Sequence, residues 1–590
     1  MIEALDFPLD VPRILRSKKS IKRSLLEKEE KRTINIAVLA GSTADELLNI
    51  WELFLLKHGF QPNFYLSDYN RYYEDAIFGN EKLDNFKPDI IYIHTTIKNI
   101  LTFPKFDNTA DEIKTLIAEE SRKYGKIWDA LQRFNCPVIQ NNFELPLNRG
   151  LGNLDSYNIH GKTYFIKQIN EEFGKNATLR NNLLLNDINY ISAKQGLDNW
   201  FDRSLWYSSK YAFSFNSFPH VANNLTNLVL SIKGLSQKCL VLDLDNTCWG
   251  GVIGDDGING IKLGKESAAG EAHMFFQEYV RELKDRGIVL AVSSKNDLNI
   301  AKEGFDHNDS ILSYSDFVSF KANWEPKYLN IQAIASEINI GLDSLVFIDD
   351  NAMERSIVRS QLPNVKVPDV QENIVNFIDY IESHGYFEPI SLSNEDLSRN
   401  KFYDENKQRE ERKAQFDNYG DFLKSLEMKA IIQPFDPKSI NRVTQLINKT
   451  NQFNLRTKRY TIPEVENMAS GQHFIGLHGR LIDKFGDNGI VTIIIGEISD
   501  DNTCTIDTWL MSCRVLKREM EFAMFNEFVR VCLTKGIKQV IGIYEATKKN
   551  KMVSDLYNQM TFEKVDDKEH FRWKLDLENY KPFDTAITIN

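Results

Sequence analysis

Residues 239–248 read Cys-Leu-Val-Leu-Asp-Leu-Asp-Asn-Thr-Cys. The short apolar run predicts a strand buried on both faces, and the polar residues after it mark its carboxyl end. Residues two apart on an extended chain point to the same side, so Asp243 and Asp245 converge beyond the strand. Two carboxylates so placed repel each other unless a cation or a proton intervenes. Downstream, IVLAVSS (Ile288 to Ser294) and SLVFIDD (Ser344 to Asp350) repeat the pattern, ending in Ser294 and in the pair Asp349 and Asp350. Helix-period stretches from Ala268 to Arg286, stopped by Gly287, and from Pro326 to Ile338 lie between them. This is the grammar of a doubly wound α/β sheet, which binds ligands at the carboxyl ends of its strands.

The same alternation appears upstream in INIAVLAG (Ile34 to Gly41), an amphipathic stretch from Ala44 to His58, PDIIYIHT (Pro88 to Thr95) and PVIQNNF (Pro137 to Phe143). A mostly parallel sheet covered on both faces is expected there. On the other side, LSNEDLSRNKFYDENKQREERKA (Leu392 to Ala414) predicts a charged helical connector. Beyond it come strand-like GIVTIIIGEI (Gly489 to Ile498) and TCTIDTWLMSC (Thr503 to Cys513), a helix from Arg518 to Lys535, and QVIGIYEAT (Gln539 to Thr547). These predict an α+β module. The expected division is therefore 1–231, 232–390, a linker over 391–426, and 427–590.

Three domains suit a chain of 590 residues, which is too long for one hydrophobic core. The formal net charge of −11 offers no overall basic field for nucleic acid or an anionic membrane, so any phosphate site must be built locally. Six cysteines without a CxxC pair point to reduced thiols and a cytoplasmic setting. The first twenty residues lack the apolar run of a signal peptide. No run of about 18 apolar residues predicts a membrane span.

Four carboxylates at two strand ends, with oxygen donors only, favour Mg²⁺ over zinc. Ser294, ending a third strand, and Lys327, opening a helix after Pro326, are suited to hold and neutralise phosphoryl oxygens. Ser293 and Lys321 are neighbours that could take those two roles instead.

The constellation resembles the haloacid dehalogenase superfamily, whose four motifs occur here in order. The resemblance implies that Asp243 attacks phosphorus and becomes an aspartyl phosphate, and that Asp245 acts as general acid and then base. It implies that Thr247 supports the loop, Ser294 binds a phosphoryl oxygen and Lys327 steadies its charge. The Mg²⁺ site would comprise Asp243, the carbonyl of Asp245, Asp349 and Asp350. Only a Gly-rich flap, TCWGGVIGDDGING (Thr247 to Gly260), and about one helix separate the first two motifs, so no cap domain fits. An uncapped site leaves room for a substrate carried on a macromolecule.

The longer string LVLDLDNTCWGGVIGDDG, with SSKND, NWEPK and VFIDDNAMER, is similar to the FkbH-type subfamily. That resemblance implies an SGNH-hydrolase-like or flavodoxin-like first domain, a phosphatase domain without a large cap, and a GNAT-acetyltransferase-like third domain. It further implies formation of a glyceryl or similar hydroxyacyl thioester on the phosphopantetheine of an acyl carrier protein, from an acyl phosphate such as 1,3-bisphosphoglycerate. The alternative is a plain phosphatase acting on a phospho-sugar or phosphoprotein.

Glyceryl-loading members commonly carry a cysteine where this chain has Leu244, so Cys248, or else Cys513, is a candidate acyl-bearing thiol. Ser42, in AGST, stands where the SGNH nucleophile would be, but the closing Asp-x-x-His is not legible. In the third domain Arg514 occupies the arginine of the coenzyme A pyrophosphate turn, while Lys517 and Glu519 replace its glycines and Tyr557 takes the place of the usual acid. No acetyl-coenzyme A catalysis is expected there. The basic segment NQFNLRTKRYT (Asn451 to Thr461) is a candidate for holding a pantetheine arm or the carrier, or else an ordered loop.

Overall fold

Short apolar runs ending in Gly, Ser, Asn or Asp become parallel strands, and the amphipathic stretches between them become the covering helices. In the computed structural model, residues 2–27, 31–371, 373–397, 399–499, 501–547, 549–565 and 571–589 are described. The chain divides into two units, Met1–Ile232 and Lys233–Asn590.

The first unit is built on a five-stranded sheet of β1 (Arg32–Ala40), β2 (Phe60–Leu66), β3 (Ile90–His94), β4 (Val138–Asn141) and β5 (Leu183–Asn186). Every pair is parallel, and the order β2-β1-β3-β4-β5 is that of flavodoxin-type sheets. The central strands are buried on both faces, which is why their sequences are continuously apolar rather than alternating. Helix Ala110–Leu131 begins with a Thr109–Glu112 capping box and packs Tyr124 and Trp128 against Phe173, with ring centroids 4.9 and 5.0 Å apart.

The second unit opens with a four-stranded parallel sheet, ordered β8-β7-β6-β9: β6 (Cys239–Leu242), β7 (Val289–Ser294), β8 (Ser319–Ala322) and β9 (Leu345–Ile348). Because β6 lies between β7 and β9, whatever follows Leu242 emerges beside the ends of both neighbours. Helix Ala268–Asp285, N-capped by Ser267, connects β6 to β7. Arg399–Lys413 forms the expected charged helix, and its Arg409 pairs with Asp483 at 2.8 Å in a buried contact with the last lobe.

That lobe carries an eight-stranded mixed sheet, ordered β15-β16-β14-β13-β12-β11-β10-β17. Its strands are β10 (Met428–Pro434), β11 (Phe474–Asp483), β12 (Gly486–Ile498), β13 (Thr503–Met511), β14 (Gln539–Tyr544), β15 (Glu563–Val565), β16 (Phe571–Asp576) and β17 (Ile587–Ile589). Helix Met520–Thr534 lies on it, stacking Phe525 on Trp509 at 5.3 Å. β13 and β14 pair only from Thr503–Thr505 against Gln539–Ile541 and then part. Among the described residues, no helix is long and apolar enough to cross a membrane.

Candidate active site

Leu242 is the last paired residue of β6, and the chain turns sharply within three residues of it. Asn246 adopts φ +54°, a left-handed conformation that asparagine tolerates better than most residues. The turn is closed as Thr247 N–H donates to the Leu244 carbonyl at 3.1 Å and Gly251 N–H donates to Asn246 Oδ1 at 2.9 Å. His273 Nδ1 and Gln277 Nε2, both on helix Ala268–Asp285, fasten the next carbonyls, of Thr247 at 3.0 Å and Cys248 at 2.8 Å. The loop is thereby fixed from behind, with Asp243 buried at its mouth.

Asp243, Asp349 and Asp350 present carboxylate oxygens that all lie within 4.8 Å of one another. Three charges at that separation repel by roughly 3–4 kcal/mol per pair at an effective dielectric constant near 20. One cation partly offsets this: Lys327 Nζ lies 2.8 Å from Asp243 and 2.5 Å from Asp349. Burial alone would lower the Lys327 ammonium, but the charges of Asp243 and Asp349 outweigh it and hold it above its ordinary value. Burial, then the charge of Asp243, raises Asp349 well above the carboxylate range and pushes Asp350 up to about 6. Three carboxylates against one ammonium leave a deficit of two positive charges. A divalent cation supplies that, and an all-oxygen donor set suits a hard one.

Asp245 is held apart from this cluster. One of its oxygens accepts from the Trp249 indole at 2.9 Å and Ile253 N–H at 3.1 Å, and the other from Asn296 Nδ2 at 3.1 Å. Burial raises its carboxyl above the usual range. A carboxyl raised in this way, next to Asp243 but held by other partners, is suited to general acid work.

Direction separates the two lysines. Lys321, in β8, pairs with Glu337 at 2.6 Å, while Lys327 reaches the carboxylates. Ser293 Oγ donates to the Lys327 carbonyl at 3.5 Å, and Ser294 is the buried final residue of β7. Thr247 is fully buried, with a hydroxyl that finds no partner. Two supporting residues, in SSKND and VFIDDNAMER, are not singled out by sequence. Asn296 anchors Asp245, and Arg355 Nη1 donates to the carbonyls of Asp349 at 2.8 Å and Asp350 at 2.6 Å. Their signal was a donor a few residues beyond each strand end.

Cys248 corrects an expectation. It is fully buried, its thiol donates to the Asp243 carbonyl at 3.3 Å, and burial followed by the charges of Asp243 and Asp245 pushes it well up. A thiol kept protonated and covered cannot serve as an exposed acyl acceptor. Cys513 is the one cysteine of six that is not buried. It lies in the cavity at the opposite edge of the sheet, lined also by Lys238 and Asn339, and so away from Asp243.

Among the described residues of the flanking lobes, no comparable carboxylate cluster is found. Ser42 is buried with a partnerless hydroxyl, so no histidine acts on it. In the last lobe, Glu519 adopts φ +63° and its carboxylate accepts from Ala586 N–H at 2.8 Å, while the Lys517 carbonyl accepts from Tyr419 at 2.6 Å. Tyr557 is buried, and its hydroxyl accepts from Ile543 N–H at 3.2 Å. Arg514 stacks on Phe402, 4.4 Å from the ring centre. The segment from Asn451 to Thr461 forms an ordered strap. Leu455 N–H donates to the Trp509 carbonyl at 3.1 Å, and Glu545 N–H donates to the Leu455 carbonyl at 2.9 Å, so the strap spans the gap where β13 and β14 part.

At the mouth of the lobe that carries Asp243, no domain is inserted among the described residues of the two connections that follow β6 and β7. The loops there expose Val252, Trp324 and Met353.

Residues 36–230 match the family described as FkbH, N-terminal domain. A crystal structure of the N-terminal part of the protein BF1531 from Bacteroides fragilis, containing a phosphatase domain complexed with Mg, is similar at 30% identity and a TM-score of 0.58. The similarity covers 63% of this chain and 99% of that one. The ribosomal-protein-S18-alanine N-acetyltransferase of Escherichia coli matches over 26% of this chain and 99% of its own, at 9% identity and a TM-score of 0.20. No curated protein matches.

Proposed function

The chain belongs to the family of the Bacteroides fragilis protein BF1531, and on that premise we propose that it is a Mg²⁺-dependent phosphatase of the haloacid dehalogenase type that delivers a hydroxyacyl unit to an acyl carrier protein. The observation that carries the phosphatase reading is the cluster of Asp243, Asp349 and Asp350 around Lys327 at adjoining strand ends. Asp243, Asp349 and Asp350 would hold the ion, which supplies positive charge against the phosphoryl oxygens.

An Asp243 oxygen attacks phosphorus and the bond to the substrate oxygen breaks. Asp245 gives its proton to the departing alkoxide, leaving an aspartyl phosphate and an alcohol. Water then attacks that phosphorus, Asp245 takes its proton, and inorganic phosphate leaves with Asp243 restored. Lys327 balances the charge that gathers on the phosphoryl oxygens, and Ser294 is placed to donate to one of them. Asn296 and Trp249 keep Asp245 aimed at the bridging oxygen.

Transfer to a carrier is supported by the match to the FkbH N-terminal domain and by the uncapped mouth, where Val252, Trp324 and Met353 offer apolar contact to a docked protein. With an acyl phosphate such as 1,3-bisphosphoglycerate, the carrier's phosphopantetheine thiol displaces phosphate from the acyl carbon, forming the thioester. The remaining phosphate ester is cleaved at Asp243. Because Cys248 is covered, the acceptor thiol is the carrier's own.

Incubation of the full-length protein with Mg²⁺, 1,3-bisphosphoglycerate and a phosphopantetheine-bearing carrier should add a glyceryl mass to that carrier. With Asp243→Asn the added mass should retain its phosphate. Phosphate release without any mass on the carrier would favour the plain phosphatase of a phospho-sugar or phosphoprotein.

A further inference from the structure

The indole that holds Asp245 is itself held, by a residue outside every motif described above. Trp249 is fully buried. Its Nε1–H donates to Asp245 Oδ1 at 2.9 Å, and the far edge of its ring rests on Gly304. A Cβ at position 304 would lie 2.5 Å from Trp249 Cη2, 2.7 Å from Cζ3 and 2.9 Å from Cζ2. Carbon atoms in good contact keep about 3.5–4.0 Å, so even a methyl group there forces a displacement of roughly 1 Å. The backbone does not itself ask for glycine. With φ −59° and ψ −28°, Gly304 has helical values open to any residue. Room for the indole is the reason the geometry gives.

Neither partner can yield without disturbing Asp245. Trp249 lies edge-on to Phe305, with ring centroids 5.2 Å apart, and Phe305 packs in turn on Phe317 at 5.1 Å. A buried ring among close-packed neighbours has little empty space to move into. Gly304, for its part, follows helix Leu298–Glu303, whose N-cap is Asp297. Asn296, immediately before that cap, donates to Asp245 Oδ2 at 3.1 Å. If the indole moves, its N–H leaves Oδ1. If the helix backs away instead, Asn296 leaves Oδ2. Both side-chain donors to Asp245 therefore depend on one short helix, one directly and one through a ring.

We propose that Gly304 is a positioning residue for proton transfer: by seating Trp249 it keeps the Asp245 carboxyl on the bridging oxygen of the substrate. This rests on the phosphatase reading of Asp243 and adds a determinant from the separate connection that follows β7. The step concerned is the passage of the Asp245 proton to the leaving oxygen as its bond to phosphorus breaks. Attack by Asp243 on phosphorus needs neither Trp249 nor Gly304.

Two esters separate these steps. Glycerol phosphate expels an alkoxide that must be protonated as it leaves, whereas p-nitrophenyl phosphate expels a phenoxide that is stable without a proton. Comparison of kcat/KM reports on formation of the aspartyl phosphate and not on its later hydrolysis. In the full-length protein with Mg²⁺, Gly304→Ala should lower kcat/KM at least about tenfold for glycerol phosphate and less than about twofold for p-nitrophenyl phosphate. Trp249→Phe should show the same split, and adding Gly304→Ala to it should cost nothing further, because the shorter ring no longer meets the new methyl group. Should Gly304→Ala fail to fold, Trp249→Phe should restore folding to it, and an unfolded double variant would overturn the proposal. A readout independent of turnover uses protein labelled with 4-fluorotryptophan. The fluorine resonance missing from Trp249→Phe should shift in Gly304→Ala and in Asp245→Asn. Equal losses on the two esters, additive losses in the double variant, or an unmoved resonance would each overturn the proposal. Phosphate release that survives Asp243→Asn would instead remove the phosphatase reading and, with it, the reaction that this contact serves.

Discussion

At or just past the carboxyl ends of β1, β3, β4 and β5 of the first unit stand Ser42, His94, Thr95, Asn141 and Asn186. At or just past those of β6, β7 and β9 of the second stand Asp243, Ser294, Asp349 and Asp350. Both sheets are parallel, and both bring polar side chains together at the same end. In the first unit these groups, Ser42 apart, bond to one another and to their neighbours. Asn186 Nδ2 donates to Asn141 Oδ1 at 2.7 Å, Asn141 Nδ2 to the Thr95 carbonyl at 3.1 Å, and Gln140 Nε2 to Thr95 Oγ1 at 2.8 Å. His94 pairs with Tyr92 at 2.9 Å, and burial pushes it down to about 4, so it is neutral. In the second unit the three carboxylates share a sign and cannot satisfy one another. One topology thus yields either an amide network or an unbalanced charge cluster, and the latter leaves charge for a metal to offset.

The sharpest way to break this contrast is to remove charge from the reactive end. Asp243→Asn should lower phosphate release at least about 10³-fold without unfolding the chain, since the nucleophile and a metal ligand go together. Phosphate release near the original rate, in a colorimetric assay on the purified variant, would contradict it. EDTA should abolish activity, and Mg²⁺ should restore it together with a higher melting temperature, because the ion binds only the folded carboxylates. Lys327→Met should cost about 10²-fold, and its effect should grow when Mg²⁺ is limiting, because the cluster then keeps no positive charge.

A smaller effect tests the closed end. Burial, outweighing backbone hydrogen bonds and the charge of Lys98, pushes Glu144 of the first unit up to about 7 from an ordinary 4.5. Its raised carboxyl takes up a proton on folding between those values. The stability it contributes is therefore full below about pH 4.5 and is lost as pH rises through 7, a change of about 3 kcal/mol. Glu144→Gln should flatten that dependence in calorimetric melts at pH 5 and pH 8, and equal slopes in both proteins would refute the cause. The smallest expected effect is none. Ser42→Ala should leave phosphate release unchanged, and a large loss would mean that the closed end takes part in chemistry.

The α/β class and the gathering of carboxylates at adjoining strand ends were legible because continuous apolar runs and strand-end acids leave marks in sequence. What was not legible depended on direction or depth. Ser293 or Ser294, and Lys321 or Lys327, differ by which way a side chain leaves its element, and spacing alone carries no sign for that. Cys248 lies one residue beyond a reactive loop, yet the turn at Asn246 folds it underneath. The basic segment after Asn451 resembles a binding surface in composition, but Arg456 pairs with Glu545 at 2.7 Å, and Lys458 and Tyr460 both engage Asp507.

The Leu455 strap has a bearing on engineering. It shuts the cleft between β13 and β14 with main-chain groups, which every residue type other than proline supplies alike. Exchanging side chains along it would alter the lining of a seam without unzipping it. Restoring an open channel would require shortening or rerouting the segment and providing the freed Trp509 carbonyl and Glu545 amide with new partners.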